Sequence, residues 1–130
     1  MKQITGLLID VKANAVSVET IDDHLHSYYE LLQTDLIDIQ TRAIGYRKKT
    51  PYAIVCDDEG LLKSEPKISA IDSVGRIMFV GNLFIVKNGE DGELASLEKN
   101  DVDYLSRFIR MQGTARFPDP YPMLHQVEYL

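Results

Sequence analysis

Two apolar runs in the middle of the chain constrain the fold more than any other feature. The first covers residues 51–56 and the second covers residues 77–86. Both are rich in β-branched and aromatic residues, which favours strands of a sheet core. The first run is followed by a polar turn of Asp57, Asp58, Glu59 and Gly60. Carboxylates cannot be buried without partners, so the sequence predicts an acidic turn at the mouth of the sheet.

Composition is typical of a single folded domain covering residues 1–130. Hydrophobic residues make up 45% of the chain and charged residues 26%, far from the composition of disordered proteins. A domain of this length buries roughly two thirds of the surface that its unfolded chain exposes. The single cysteine, Cys56, lies in an apolar run, which favours a buried, inert thiol over a reactive one.

The net charge of −6 argues against nonspecific nucleic-acid binding, which needs clustered cations. The basic run Arg47, Lys48 and Lys49 is typical of a solvated turn between strands. If the acidic charge lay on one face, the protein could instead mimic a nucleic acid. We expect a cytoplasmic protein, because the N-terminal apolar run is too short for a signal peptide and no run approaches the roughly 20 residues of a membrane span.

In the first half of the chain, residues 3–11 and 15–19 predict a β-hairpin. Thr20 is expected to cap a helix that ends near Thr34. The apolar stripe of that helix recurs at spacings of three and four and consists of Ile21, Leu25, Tyr28, Tyr29 and Leu32. A third strand begins at residues 36–39, turns at Gly45, and returns antiparallel through residues 52–56.

In the second half, Pro66 predicts that residues 61–71 are extended or a loop, and not a central strand. Gly81 and Asn82 break the second apolar run, which favours a tight turn or a β-bulge that exposes Asn82. A second helix is predicted over residues 100–112, with Asn100 as N-cap and Gly113 after its end. The proline-rich tail is expected to form an extended strap. The predicted class is α+β, a mostly antiparallel sheet with two helices packed on it.

No motif for a metal, a cofactor or a nucleophile accompanies these elements. His24 and His26 are two residues apart on the predicted helix, so they point in different directions and cannot share a metal ion. Asp57, Asp58 and Glu59 could act as general acid or base if one pKa were raised. Alternatively, several of the seven tyrosines could line a ligand pocket in which Asn82 and backbone amides donate hydrogen bonds.

Three segments of the chain resemble domain-of-unknown-function family 3846. They are residues 54–61 (IVCDDEGL), 66–71 (PKISAI) and 80–86 (VGNLFIV). The similarity covers about residues 2–87, and the helix and strap of residues 88–130 are less clearly shared. The resemblance implies a small protein of gut bacteria, their phages and conjugative elements, with no established activity. It singles out the turn at residues 57–60 and the pair Gly81 and Asn82, for which a purely architectural role is the alternative, because glycine is needed wherever φ is positive.

Two functional hypotheses follow. The first is a non-enzymatic binding or interaction protein of a mobile element, which acts on a host protein or sequesters a small anionic or nucleotide-like molecule. The alternative is a minimal hydrolase or transferase that uses Asp57, Asp58 or Glu59. The outer edge of the N-terminal hairpin would also allow two copies to pair as a homodimer.

Overall fold

The computed structural model describes residues 2–59 and 66–130. This part of the chain forms two β-sheets and two α-helices, mostly antiparallel, as predicted for an α+β domain. The strands are β1 (Gln3–Asp10), β2 (Ala15–Asp22), β3 (Ile37–Ile44), β4 (Arg47–Asp57), β5 (Ile68–Ile71), β6 (Ile77–Val80), β7 (Leu83–Asn88), β8 (Leu94–Ala95), β9 (Ile109–Gln112), β10 (Tyr121–Leu124) and β11 (Val127–Glu128). The helices are α1 (Leu25–Leu32) and α2 (Lys99–Ser106), with a short 3-10 turn at Glu90–Gly92.

The larger sheet has the strand order β11-β3-β4-β7-β1-β2, and β8 pairs with β7. Its central strands β4 and β7 contain the first apolar run and the second half of the second run, aligned antiparallel with Val55 opposite Phe84. Their side chains alternate between two buried faces. Ile54 and Ile85 belong to one core cluster, and Val55 and Phe84 belong to the other. Because both faces are covered, neither strand shows the apolar and polar alternation of a half-exposed strand.

The smaller sheet and α2 cover one face of the larger sheet. The smaller sheet has the order β6-β5-β10-β9, in which β5 and β10 run parallel. Its residues Phe79 and Leu124 share a core cluster with Leu105 of α2 and with Ile9 and Ile54 of the larger sheet. Helix α1 covers the opposite face. Both helices and the smaller sheet therefore pack on the two apolar faces of the larger sheet.

The first helix starts later than the sequence predicts. Thr20 is not its N-cap, because it lies in β2 opposite Thr5, and the two hydroxyls are 2.7 Å apart. His24 is the N-cap instead, and its Nδ1 accepts the backbone N–H of His26 at 3.2 Å. Of the predicted stripe, Tyr28 and Leu32 are buried as expected, whereas Leu25 is 53% exposed. Pairing along the whole of β1 outweighs the local capping preference of a threonine.

Two predicted connections form strands. The basic run Arg47, Lys48 and Lys49 opens β4 and is not a turn; the turn before it is made by Gly45, as predicted. Ile68–Ile71 is an inner strand of the smaller sheet, because it pairs with both β6 and β10. Pro66 lies just before this strand, where its missing N–H costs no ladder bond. The rest of the predicted loop, residues 61–65, lies outside the described residues.

The second helix is shorter than predicted and the tail is more ordered. Asn100 is not the N-cap; Glu98 is, in a capping box with Asp101. The helix ends at Ser106, so Gly113 does not terminate it, and the chain continues as β9. The predicted strap contains β10, which lies inside the smaller sheet, and all four of its residues are buried. Pairing of β9 with β10 removes residues 109–112 from the helix.

Candidate functional site

A cleft of about 480 Å³ opens between the two sheets, at the end of β4. The described residues that line it come from β3, from the end of β4, from β6 and from the tail. They are Asp38, Gln40, Arg42, Cys56, Asp57, Asp58, Glu59, Ile77, Met78, Phe79, Val80 and Tyr129. The cleft thus has a polar side, formed by β3 and the acidic turn, and an apolar side, formed by β6.

Strand β3 contributes three polar side chains because alternate residues of a strand face the same side. Gln40 donates a hydrogen bond to the carboxylate of Asp38, and Arg42 donates one to the side-chain oxygen of Gln40. The guanidinium of Arg42 lies 4.5 Å from the ring centre of Tyr129 and 5.4 Å from that of Phe79. Its Nε is buried and has no hydrogen-bond acceptor among the described residues. The row of Asp38, Gln40 and Arg42 was not predicted from the sequence, although polar side chains at every second position of residues 38–42 are typical of one strand face.

The acidic turn lies where the sequence places it, at the end of β4. One carboxylate oxygen of Asp57 accepts the backbone N–H of Glu59 at 2.9 Å. The backbone N–H of Asp58 donates to the carbonyl of Leu36 at 3.1 Å, which ties the turn to the start of β3. Asp57, Asp58 and Glu59 all line the cleft. Gly60, which was predicted with them, lies outside the described residues.

Cys56 lies on the floor of the cleft and is 6% exposed. Burial raises the pKa of its thiol to about 12, and the nearby carboxylates of Asp38 and Asp58 add to this shift. The thiol is therefore uncharged at neutral pH and is a poor nucleophile. The predicted buried thiol is confirmed.

Gly81 and Asn82 do not line the cleft. They form neither a hairpin turn nor a bulge, because they carry the chain from β6 in the smaller sheet to β7 in the larger one. Gly81 has a φ of 80°, and its N–H donates to the carbonyl of Lys67 at 2.9 Å. Asn82 is only 3% exposed, so the predicted exposure is wrong. Its side-chain oxygen accepts the N–H of Val11 at 2.9 Å, which is an architectural role.

Of the seven tyrosines, the described lining of the cleft includes Tyr129 alone. Tyr52, Tyr104 and Tyr121 are among the largest fully buried side chains. The three histidines are also outside this described lining. In the described part of the chain, no group of three or more His, Cys, Asp or Glu residues is arranged to hold a metal ion.

The charge of the cleft is strongly acidic. Its described lining carries the carboxylates of Asp38, Asp57, Asp58 and Glu59 against the guanidinium of Arg42. Such a site attracts cations and hydrogen-bond donors and repels anions. Chemically, the cleft combines carboxylate acceptors, one guanidinium and an apolar wall.

Comparison with known proteins places the chain in a family. No curated protein and no solved structure matches it significantly. None of the helices in residues 2–59 and 66–130 has the length and apolar character needed to cross a membrane. A family model matches residues 3–111, which extends well past the three resembling segments. The chain therefore belongs to the family described as Domain of unknown function (DUF3846).

Proposed function

We propose that this protein binds, without chemical conversion, a small flat ligand that carries N–H groups and no phosphate, such as a nucleobase or nucleoside. The observation that carries this proposal is the cleft itself, with a volume of about 480 Å³ and opposed polar and apolar sides. Ligand pockets in proteins measure roughly 300–1,000 Å³ and combine apolar walls with a few placed polar groups.

The two sides of the cleft match the two parts of such a ligand. Carboxylate oxygens accept hydrogen bonds from N–H groups, and charge-assisted bonds of this type are strong. On the other side, Met78 and Phe79 offer apolar surface to the face of a ring.

The charge of the cleft separates a base or nucleoside from a nucleotide. Four carboxylates stand against one guanidinium in its described lining. A phosphate brings nearly two further negative charges at neutral pH, and like charges at short distance repel each other. The proposed ligand therefore has the ring of a nucleotide but not its phosphate.

Binding is better supported than hydrolysis or group transfer by the carboxylates. Cys56 is uncharged, because its pKa is raised by burial. Asp57 holds the backbone of its own turn, and Asp58 is exposed to solvent. Covalent group transfer needs an activated nucleophilic side chain, and the described lining of the cleft offers none.

Isothermal titration calorimetry with adenine, cytosine, adenosine, cytidine and AMP tests the proposal. We expect at least one base or nucleoside to bind, and AMP to bind more weakly than adenosine. Asp58→Asn should weaken binding about tenfold, since one charge-assisted hydrogen bond contributes roughly 1.5 kcal/mol. The matched control is Asp103→Asn, an exposed aspartate on α2, which should bind as the wild type does.

Three results would count against this function. They are the absence of heat with every compound, tighter binding of AMP than of adenosine, or equal affinity of the Asp58→Asn and wild-type proteins. Each mixture is also followed by NMR. Conversion of a compound at a rate that Asp58→Asn abolishes would replace binding by the catalytic alternative.

A further inference from the structure

Strand β2 is an unusual edge of the larger sheet. It has eight residues, whereas the other described edge strands have two (β8 and β11) or four (β6 and β9). Natural proteins protect edge strands with lysine, proline, bulges or short length. Residues 15–22 contain no lysine or proline, their charged residues are Glu19 and Asp22, and their pairing with β1 has no register shift. Val16 and Val18 are 40% and 52% exposed.

The hydrogen bonds of the hairpin show which groups of β2 face outward. The N–H of Asp23 donates to the carbonyl of Lys2 at 2.8 Å, so these two residues form a hydrogen-bonded pair. Bonded and non-bonded pairs alternate along an antiparallel ladder. The residues of β2 that bond to β1 are therefore those with odd numbers. Thr5 agrees with this assignment, because its N–H and carbonyl bond to Ser96 and Leu97 on the side away from β2.

It follows that the N–H and carbonyl groups of Val16, Val18 and Thr20 point away from the sheet. No described residue bonds to them, since β2 has no strand partner on that side in the described part of the chain. An extended segment with matching groups would satisfy all of these donors and acceptors.

We propose that the occupant of this edge is β2 of a second copy, so that the protein is a symmetric dimer with a sheet continuous across both subunits. The strand is complementary to itself when it pairs antiparallel about Val18. Val18 then faces Val18 of the partner subunit, and Val16 faces Thr20 of the partner subunit. On the other face, Ser17 lies opposite Glu19 of the partner subunit, and Ala15 opposite Ile21 of the partner subunit.

This register is the best of those that match the outward groups. Pairing about Glu19 would place two carboxylates opposite each other, which is destabilising. Pairing about Ser17 would use only residues 15–19 of each strand and pairing about Thr20 only residues 18–22, whereas pairing about Val18 uses residues 15–21. If the pairing of the two β2 strands were shifted by a single residue, the outward-facing backbone groups of one strand would lie opposite the inward-facing backbone groups of the other.

Hydrogen exchange by NMR at several protein concentrations tests the dimer without any substitution. The amides of Ser17, Glu19 and Ile21 should be protected at every concentration. Those of Val16, Val18 and Thr20 should become protected only as the protein is concentrated, in step with a rise from monomer to dimer mass in sedimentation equilibrium. A monomer at all concentrations, or a dimer that leaves these three amides unprotected, would overturn the proposal.

Cross-linking tests the register. Ser17→Cys protein mixed with Glu19→Cys protein should give a disulfide-linked heterodimer on mild oxidation, because residues 17 and 19 of opposite subunits form a close non-hydrogen-bonded pair. Neither variant alone should cross-link. Efficient linking of Ser17→Cys or of Glu19→Cys with itself would refute pairing about Val18. Wild-type protein, in which Cys56 is buried, is the control for background oxidation.

A proline substitution distinguishes loss of the dimer from loss of the fold. Val18→Pro removes an N–H that points outward, so the hairpin keeps its own bonds and proline is tolerated at such an edge. We expect this variant to be folded and monomeric, while Val18→Thr keeps the amide and stays dimeric. A Val18→Pro variant that dimerises as well as wild type would show that the edge is not the interface.

Discussion

Asp101 shows how a single buried carboxylate connects three elements. Its side chain is 6% exposed. It accepts hydrogen bonds from the hydroxyl of Tyr52 in β4 at 3.0 Å and from the backbone N–H of Glu98 at 2.9 Å, and Lys87 of β7 lies at 3.1 Å. The N-terminus of α2 is thus fixed to the two central strands of the larger sheet. The favourable end of the helix dipole adds to this arrangement.

The protonation of Asp101 follows from these contacts. Burial alone would raise its pKa, but the hydrogen bonds from the Glu98 N–H, from Lys87 and from Tyr52 outweigh burial and leave the pKa below its usual range. A carboxyl whose pKa is lower in the folded state stabilises the fold above its unfolded pKa. That stabilisation is lost as the pH falls through the folded value.

We therefore expect Asp101→Asn to destabilise the protein by about 2–4 kcal/mol at neutral pH, because Lys87 loses a buried partner. The difference from wild type should shrink as the pH falls from the ordinary carboxyl range through the lowered pKa of Asp101, below which wild-type Asp101 is also neutral. Urea denaturation at a series of pH values measures both effects. Asp103→Asn, on the exposed face of the same helix, should change the free energy of unfolding little. If the difference between Asp101→Asn and wild type did not depend on pH, the charge of Asp101 would not be its cause.

At the scale of elements, the connection between β3 and β4 is held by Gly45. Its φ is 65°, and its N–H donates to the carbonyl of Gln126 at 2.9 Å. A Cβ at this position would overlap the ring of Phe108. The turn therefore needs glycine both for its backbone conformation and for the close contact with Phe108, which lies between α2 and β9.

Gly45→Ala should destabilise the fold by about 2–4 kcal/mol, which combines a left-handed residue with overpacking against Phe108. Gly75 offers a matched control, since its φ is 88° but a Cβ added there would have no atom within 4 Å. Gly75→Ala should cost only the backbone part, about 1–2 kcal/mol. Thermal and urea unfolding measure the two variants. Equal losses of unfolding free energy in the two variants would mean that overlap with Phe108 does not contribute to the effect of Gly45→Ala.

Sequence patterns predicted the elements where local preference and tertiary structure agree. The N-terminal hairpin, the turn at Gly45 and the antiparallel pairing of β3 with β4 are examples. Sequence patterns gave wrong predictions where pairing with a strand distant in sequence determined the secondary structure. Thr20 is a good cap in isolation but pairs with Thr5, and residues 109–112 were predicted as the end of the second helix but pair with β10. Contacts between residues far apart in sequence cannot be read from a local pattern.

The candidate site was predicted only in part for the same reason. The acidic turn could be located because carboxylates after a buried strand must reach the surface. Arg42 could not be assigned to the cleft, because its neighbours Phe79 and Tyr129 are distant in sequence. Asn82 was misplaced because a polar residue beside a glycine is typical of an exposed turn, whereas here it bonds to Val11, the buried residue that follows β1.

At the scale of the whole molecule, the core depends on residues outside the family match. The match ends at residue 111, yet β10 lies inside the smaller sheet beyond that point. Leu124 is 0% exposed and belongs to the core cluster shared by both sheets and α2. Because one cluster joins these layers, we expect them to unfold together.

Leu124→Ala tests this dependence. We expect it to destabilise the protein by about 2–5 kcal/mol, the usual effect of truncating a buried leucine. The matched control is Leu130→Ala, at a position 72% exposed, which should change stability by less than about 0.5 kcal/mol. Unfolding is followed by far-UV circular dichroism and by the fluorescence of the seven tyrosines. Coincident transitions in both variants would establish a single cooperative unit, whereas a Leu124→Ala protein that loses tyrosine signal before its sheet signal would show that the smaller sheet unfolds separately.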